Sequence, residues 1–287
     1  MTPLLRVRNL RVTYPGDDGD FHAVRNVSFT LGRERLGIVG ESGSGKSTTG
    51  RALMGLIPHP GRVTADEMTL ADSKGRATDL RTLSERGFRA LRGTRIAMVL
   101  QDPKYSLDPV MTVGEQIAET HRTHLRSSRR AAREAALAML EAVRINDPER
   151  VYRLYPHQVS GGMGQRVMIA MMLIADPDIL IADEPTSALD VTVQTQVLAI
   201  MDDLVRRRGM GLILISHNLH LVSSFCDRVL VMYAGQVLET CEAGRLSEAR
   251  HPYTRGLLAA LPELGRRRAE LPQLKRDPAW LADVTGA

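Results

Sequence analysis

A chain of 287 residues with 43% hydrophobic and 25% charged residues is long enough to bury a substantial core, which excludes a disordered or fibrous polymer. Its net charge of +5 comes from basic residues spread along the chain without the aromatic-interleaved motif of a nucleic-acid binder, and its two cysteines, Cys226 and Cys241, have neither zinc-site spacing nor the density of a secreted disulfide scaffold. The apolar run Val167 to Ala175 is shorter than the about 18 residues of a membrane-spanning helix, and Met1 to Leu10 lacks the pattern of a secretory leader, so a reducing cytoplasm is the expected compartment.

Leu5 to Thr13 and Ala23 to Leu31 carry alternating or β-rich apolar residues around the turn-forming run Pro15 to Asp20, which predicts an antiparallel strand pair. Arg35 to Val39 is a short apolar strand; a glycine-rich stretch, Gly40 to Gly45, follows, and Lys46 to Leu56 has a helical pattern ended by Pro58. Ala65 to Arg95 is polar and of mixed character, and Ile96 to Leu100 is another buried strand. Val113 to Pro156 reads as helical throughout, with Ala132, Ala136, Met139, Leu140 and Val143 on one apolar face. The basic cluster Arg126 to Arg133 is read as a solvated helix face. A helix over Gly162 to Ala175 is followed by a strand, Ile179 to Ala182, a helix, Val191 to Arg206, a strand, Leu212 to Ile215, a helix, Leu219 to Phe225, and a strand, Arg228 to Tyr233. Strands alternating with helices imply an α/β fold with a mainly parallel sheet covered on both faces. Past Gly235 the periodicity weakens, and Pro252, Pro262, Pro272 and Pro278 mark an accessory tail.

Three constellations carry chemistry. Gly40-Glu41-Ser42-Gly43-Ser44-Gly45-Lys46-Ser47 matches the phosphate-loop pattern G-x-x-x-x-G-K-S/T in full, between a strand and a helix. Backbone N–H groups of such a loop turn inward on phosphates and the helix aims its positive end at them. Gly40, Ser42, Gly43, Ser44, Gly45, Lys46, Ser47 and Thr48 are therefore expected to contact a nucleoside triphosphate, Lys46 neutralising the β and γ phosphates and Ser47 ligating Mg²⁺. The strand Ile179 to Ala182 delivers Asp183 and Glu184 to the sheet's C-terminal edge, where ligands of α/β folds gather. Asp183 is placed to hold Mg²⁺, and Glu184 to orient and deprotonate an attacking water. Ser160-Gly161-Gly162 at a helix start is a second anion-binding geometry, or an N-cap with a tight turn.

Ser-Gly-Gly upstream of the Asp-Glu pair is similar to the signature of ATP-binding cassette ATPases, and the resemblance extends over nearly the whole chain in the family's motif order. It implies a P-loop, RecA-like core with an N-terminal antiparallel β subdomain and an α-helical subdomain inserted at about 102–168. Residues 1–235 would form the ATPase domain, and residues 236–287 a short C-terminal accessory segment. Tyr14 resembles the aromatic that stacks on adenine. Gln101 resembles the residue that senses Mg²⁺ and contacts the membrane subunits. Ser187-Ala188-Leu189-Asp190 is similar to the D-loop, and His217 resembles the switch histidine that contacts the γ-phosphate. Glu184, His217, Gln101 and Lys46 are then the expected catalytic groups, with Ser47, Gln101 and Asp183 around the metal and Asp190 beside the nucleotide.

In the family two cassettes pair head to tail, so Ser160, Gly161 and Gly162 would act on the partner's ATP. The stretches Gln101-Asp102-Pro103, Ser106-Leu107-Asp108-Pro109, Tyr155-Pro156-His157-Gln158 and His251-Pro252-Tyr253-Thr254-Arg255-Gly256-Leu257-Leu258 resemble the subgroup that powers import of oligopeptides, dipeptides or nickel. That subgroup implies transmembrane permease subunits, a second cassette ATPase in a homodimer or paralogous heterodimer, and, indirectly, a solute-binding protein. It implies a peripheral place on the cytoplasmic face of the inner membrane and no nucleic acid; a soluble cassette ATPase of a nucleic-acid-linked process is the alternative. Val159, Gly164 and Asn218 stand where the pattern usually has leucine, arginine and aspartate. No cysteine follows Cys241, so no iron-sulfur cluster is expected.

Overall fold

Two sheets share the chain in a computed structural model that describes residues 3–17, 19–72, 75–100, 106–187, 189–260 and 277–281. Gln101 through Tyr105, Ala188 and the tail segments 261–276 and 282–287 lie outside the described residues. The first sheet is antiparallel. β1 (Leu5–Tyr14) pairs with β2 (Phe21–Leu31) from Leu5 opposite Leu31 to Tyr14 opposite Phe21. The polar stretch after residue 60 supplies β4 (Arg62–Thr64) and β5 (Glu67–Ala71) against β1, and β6 (Ala77–Asp79) against β5. These short strands carry little periodic signal of their own, and pairing with β1 defines them.

The second sheet contains β3 (Arg35–Val39), β7 (Ile96–Val99), β8 (Ile179–Asp183), β9 (Gly211–Ile215), β10 (Arg228–Tyr233) and β11 (Gln236–Glu242), in the order β11-β10-β3-β9-β8-β7. It is parallel from β10 to β7, and β11 joins β10 antiparallel through the turn at Ala234 and Gly235. Period-two alternation splits each central strand between two cores. Leu180, Ala182, Leu212 and Leu214 face a core shared with the helical region, whereas Ile179, Ile181, Ile213 and Ile215 face one shared with the first sheet. Burial on both faces is why these strands read as continuous apolar runs. The expected α/β core, antiparallel N-terminal sheet and helical insertion are all present.

The helices differ from expectation in their ends. α1 (Lys46–Leu53) stops short of Leu56 because Gly55 takes a left-handed φ of 62°. Gly55 N–H donates to Ala52 O and Leu56 N–H to Arg51 O, at 3.1 and 2.9 Å, the Schellman closure. α2 (Glu85–Leu91) lies in the polar stretch, started by the Ser84 hydroxyl accepting from Gly87 N–H. The long helical region divides into α3 (Val113–Leu125), α4 (Arg129–Ala142) and α5 (Pro148–Tyr152). Left-handed Arg126, Arg144 and Asp147 break it, and Ser128 and Asp147 cap the new starts. α6 (Gly161–Leu173), α7 (Val191–Arg208), α8 (Leu219–Phe225) and α9 (Pro252–Ala259) complete the described helices. Arg130 and Arg133 of the basic cluster are exposed, paired with Glu134 and Glu149. None of the helices among the described residues is long and apolar enough to cross a membrane.

Candidate functional site

The loop between β3 and α1 is shaped by glycines with no room for a side chain. A Cβ on Gly40, whose φ is 151°, would lie 2.1 Å from Met232 O; one on Gly45, at φ 94°, would lie 2.5 Å from Ala23 O. Gly235 N–H donates to Ser44 O at 3.1 Å, anchoring the loop to the β10–β11 turn. Lys46 lies inside the loop, 7% exposed, with Nζ donating to Gly40 O at 2.9 Å, Glu41 O at 2.7 Å and Ser44 Oγ at 3.3 Å. Burial pushes its pKa below the ordinary lysine value, against the raising charges of Glu184, Asp183 and Glu41.

β8 ends beside this loop. Ser47 Oγ donates to Asp183 Oδ1 at 2.8 Å. Burial pushes the Asp183 carboxyl up, opposed by the Ser47 hydrogen bond and by the charges of Arg51 and Lys46, while Glu184 adds to the rise. Glu184 adopts a left-handed φ of 51°, a conformation that costs about 1–3 kcal/mol in a non-glycine residue. Its N–H donates to Ile215 O at 3.0 Å, which holds it there. Oε1 of Glu184 then accepts from His217 N–H at 2.9 Å and lies 2.7 Å from His217 Nδ1.

Glu184 and His217 line one cavity of about 440 Å³ together with Ser42, Gly43, Ser44, Gly45, Lys46, Ser47 and Thr48. Phe21 and Ala23 of β2 complete its wall. Phe21 is 64% exposed, whereas Tyr14, its partner across the strand pair, is partly buried against the core of the first sheet and is not among the lining residues. Phe21 gives no periodic signal in the sequence; its exposure next to the loop is a tertiary feature.

Ser160, Gly161 and Gly162 are elsewhere, the first two lining a second cavity of about 300 Å³ with Leu107, Pro109, Pro156, His157, Val159 and Gly164. The Ser160 hydroxyl accepts from Met163 N–H at 3.3 Å as the N-cap of α6, and a Cβ on Gly162 would meet Val193 of α7 at 2.7 Å. Asp190 caps α7, accepting from Val193 N–H at 3.0 Å. The phosphate loop and the Ser-Gly-Gly turn of one chain thus occupy separate concavities. Gln101 lies outside the described residues.

Residues 24–187, which include the phosphate loop, the Ser-Gly-Gly turn and the Asp-Glu pair, match the family model described as ABC transporter. The chain belongs to the ABC transporter family. It is 46% identical over 274 residues to the dipeptide transport ATP-binding protein DppD of Haemophilus influenzae, covering 95% of this chain and 82% of that relative. It is 48% identical over 288 residues to the glutathione import ATP-binding protein GsiA of Pectobacterium atrosepticum, covering 98% of this chain but 46% of that protein, so the chain spans about half of GsiA. Among solved structures it resembles the dimeric structure of MJ0796, a bacterial ABC transporter cassette, with TM-score 0.71 and 26% identity over 83% of this chain and 98% of the other. A post-hydrolysis dimer of the same cassette bound to ADP and Pi matches with TM-score 0.71 and 25% identity, over the same shares. In this ABC transporter family member the Asn218 side chain, next to His217, accepts from Leu221 N–H at 3.1 Å and caps α8.

Proposed function

We propose that the chain is the ATP-binding and ATP-hydrolysing subunit of an ABC importer for peptides or a related small solute. The observation that carries this reading is the convergence of Lys46, the Ser47–Asp183 pair and the Glu184–His217 pair on one cavity beside the phosphate loop. The loop's N–H groups and Lys46 bind the β and γ phosphates. Lys46 exchanges its backbone carbonyls for phosphate oxygens, which returns charge partners to an ammonium that burial disfavours. Glu184 accepts the proton of the attacking water, and His217, in contact with Oε1, orients that carboxylate and reaches the γ-phosphate.

Ser47 and Asp183 offer a hydroxyl and a carboxylate at one point, a donor set suited to a hard cation. Ser47 and Asp183, with Gln101, would hold Mg²⁺, whose charge, when bound, neutralises the phosphates.

Because Ser160 and Gly161 line another concavity, a second cassette supplies the Ser-Gly-Gly turn for each ATP, either a copy of this chain or a paralogue. Closure around ATP and opening after hydrolysis are transmitted to transmembrane permease subunits at the cytoplasmic face of the membrane. A solute-binding protein presents the cargo, and the names of the relatives favour small peptides, including glutathione, over nickel. Steady-state ATP hydrolysis across a range of chain concentrations tests the paired site. If two copies of this chain pair, the specific rate should rise with concentration and level off; full specific activity at dilutions where sedimentation shows only monomer refutes a site shared between two chains.

A further inference from the structure

Glu41, the second residue of the phosphate loop, sends its backbone N–H to the Tyr253 hydroxyl, which accepts it at 3.2 Å across 212 residues of sequence. The carbonyl of the same peptide unit, Gly40 O, accepts from Lys46 Nζ at 2.9 Å, and Glu41 O accepts from it at 2.7 Å. A peptide unit is planar and rigid. The Gly40–Glu41 unit is therefore gripped at opposite edges, by the accessory segment through its N–H and by the loop's lysine through its carbonyl. Turning that plane breaks both contacts together.

Tyr253 is built to stay in place. It is fully buried in the first turn of α9, its N–H donating to His251 Nδ1 at 3.1 Å. Glu239 of β11 accepts from the N–H groups of Arg250 and His251 at 2.6 and 3.3 Å, fixing the helix start to the sheet. The Tyr253 ring packs on Tyr233 and Trp280, with centroids 4.7 and 5.8 Å away. Tyr233 ends β10 directly before the turn whose Gly235 N–H holds Ser44 O, so C-terminal elements restrain the loop on both sides of Gly43.

We infer that Tyr253 is a positioning residue for nucleotide binding, its hydroxyl setting the Gly40–Glu41 peptide plane and, through it, the place from which Lys46 reaches the phosphates. The inference rests on the reading of this loop as the ATP site. Without the hydroxyl the half-buried Glu41 N–H loses this contact, the peptide plane is free to turn, and fewer molecules hold a competent loop. Apparent affinity falls by that fraction.

The test is equilibrium binding of ATP to the full chain with Mg²⁺ present, joined to steady-state kinetics. Tyr253→Phe keeps the ring and its packing, and should weaken ATP binding and raise KM by about 5- to 20-fold while kcat stays within about twofold. Thr254→Val is the packing control: that hydroxyl is buried one residue along and has no hydrogen-bond partner among the described residues, so its loss should leave affinity within about twofold. Unchanged affinity in Tyr253→Phe, or equal weakening in Thr254→Val, overturns the inference. A wild-type chain that binds no ATP refutes the nucleotide-site reading instead. Should Tyr253→Phe not fold, amide exchange in the nucleotide-free wild type decides. The Glu41 amide should exchange at least about tenfold more slowly than that of Gly43, and equal rates overturn the inference.

Discussion

Replacing Phe21 with alanine separates two candidates for the adenine contact. Phe21 stands 64% exposed on the wall that also carries the phosphate loop, whereas Tyr14 packs on the first sheet's core and is not among the lining residues. Stacking of a base on an aromatic ring contributes about 1–3 kcal/mol, so Phe21→Ala should weaken ATP binding by roughly 5- to 150-fold. An exposed side chain contributes little to folding, so the same variant should lose less than about 0.5 kcal/mol of stability. Tyr14→Ala should show the reverse, a stability loss of about 1–3 kcal/mol from lost packing against the core and near Gly61, with affinity retained in the folded fraction. Equilibrium binding of ATP, with urea melts of both variants, provides the comparison. Wild-type affinity in Phe21→Ala with a loss above about tenfold in folded Tyr14→Ala would refute the reasoning and return the adenine contact to Tyr14.

Asp183→Asn should raise the Tm of the nucleotide-free chain at pH 8, because burial disfavours the ionised carboxylate. The sign follows from a folded pKa raised above the unfolded one: the wild type gains stability as pH falls through the raised value, so melts at decreasing pH should show the variant's advantage vanish. Gly40→Ala forces a Cβ to 2.1 Å from Met232 O at a φ of 151°, and urea melts should show a loss of about 2–4 kcal/mol together with lost ATP binding.

The phosphate loop was legible because phosphate binding demands glycines, a lysine and a hydroxyl at fixed spacing, and the structure brings Lys46, Ser47, Asp183, Glu184 and His217 to one place. The central strands were legible because burial on both faces leaves them almost wholly apolar. The strands β4 to β6 were not, since three to five residues cannot establish a period and β1 selects them by pairing. The breaks at Arg126 and Arg144 are not legible because left-handed turns at arginine carry no glycine to announce them, whereas Asp147 before Pro148 is a helix-start signal that the apolar pattern around it outweighs. Phe21 sits beside a polar turn run, where nothing local tells an exposed aromatic from a ligand contact. The Tyr253–Glu41 bond joins residues 212 apart, and only the fold reveals it.

Glu184 is the residue on which the proposed chemistry turns, held at an unfavourable φ with Oε1 against His217. The direct measurement is ATP turnover by Glu184→Gln at saturating ATP and Mg²⁺, with ATP affinity determined on the same sample. The account predicts hydrolysis reduced by at least about 100-fold with binding retained, because the amide keeps the shape but cannot take the proton of water. Undiminished hydrolysis in that variant would contradict it.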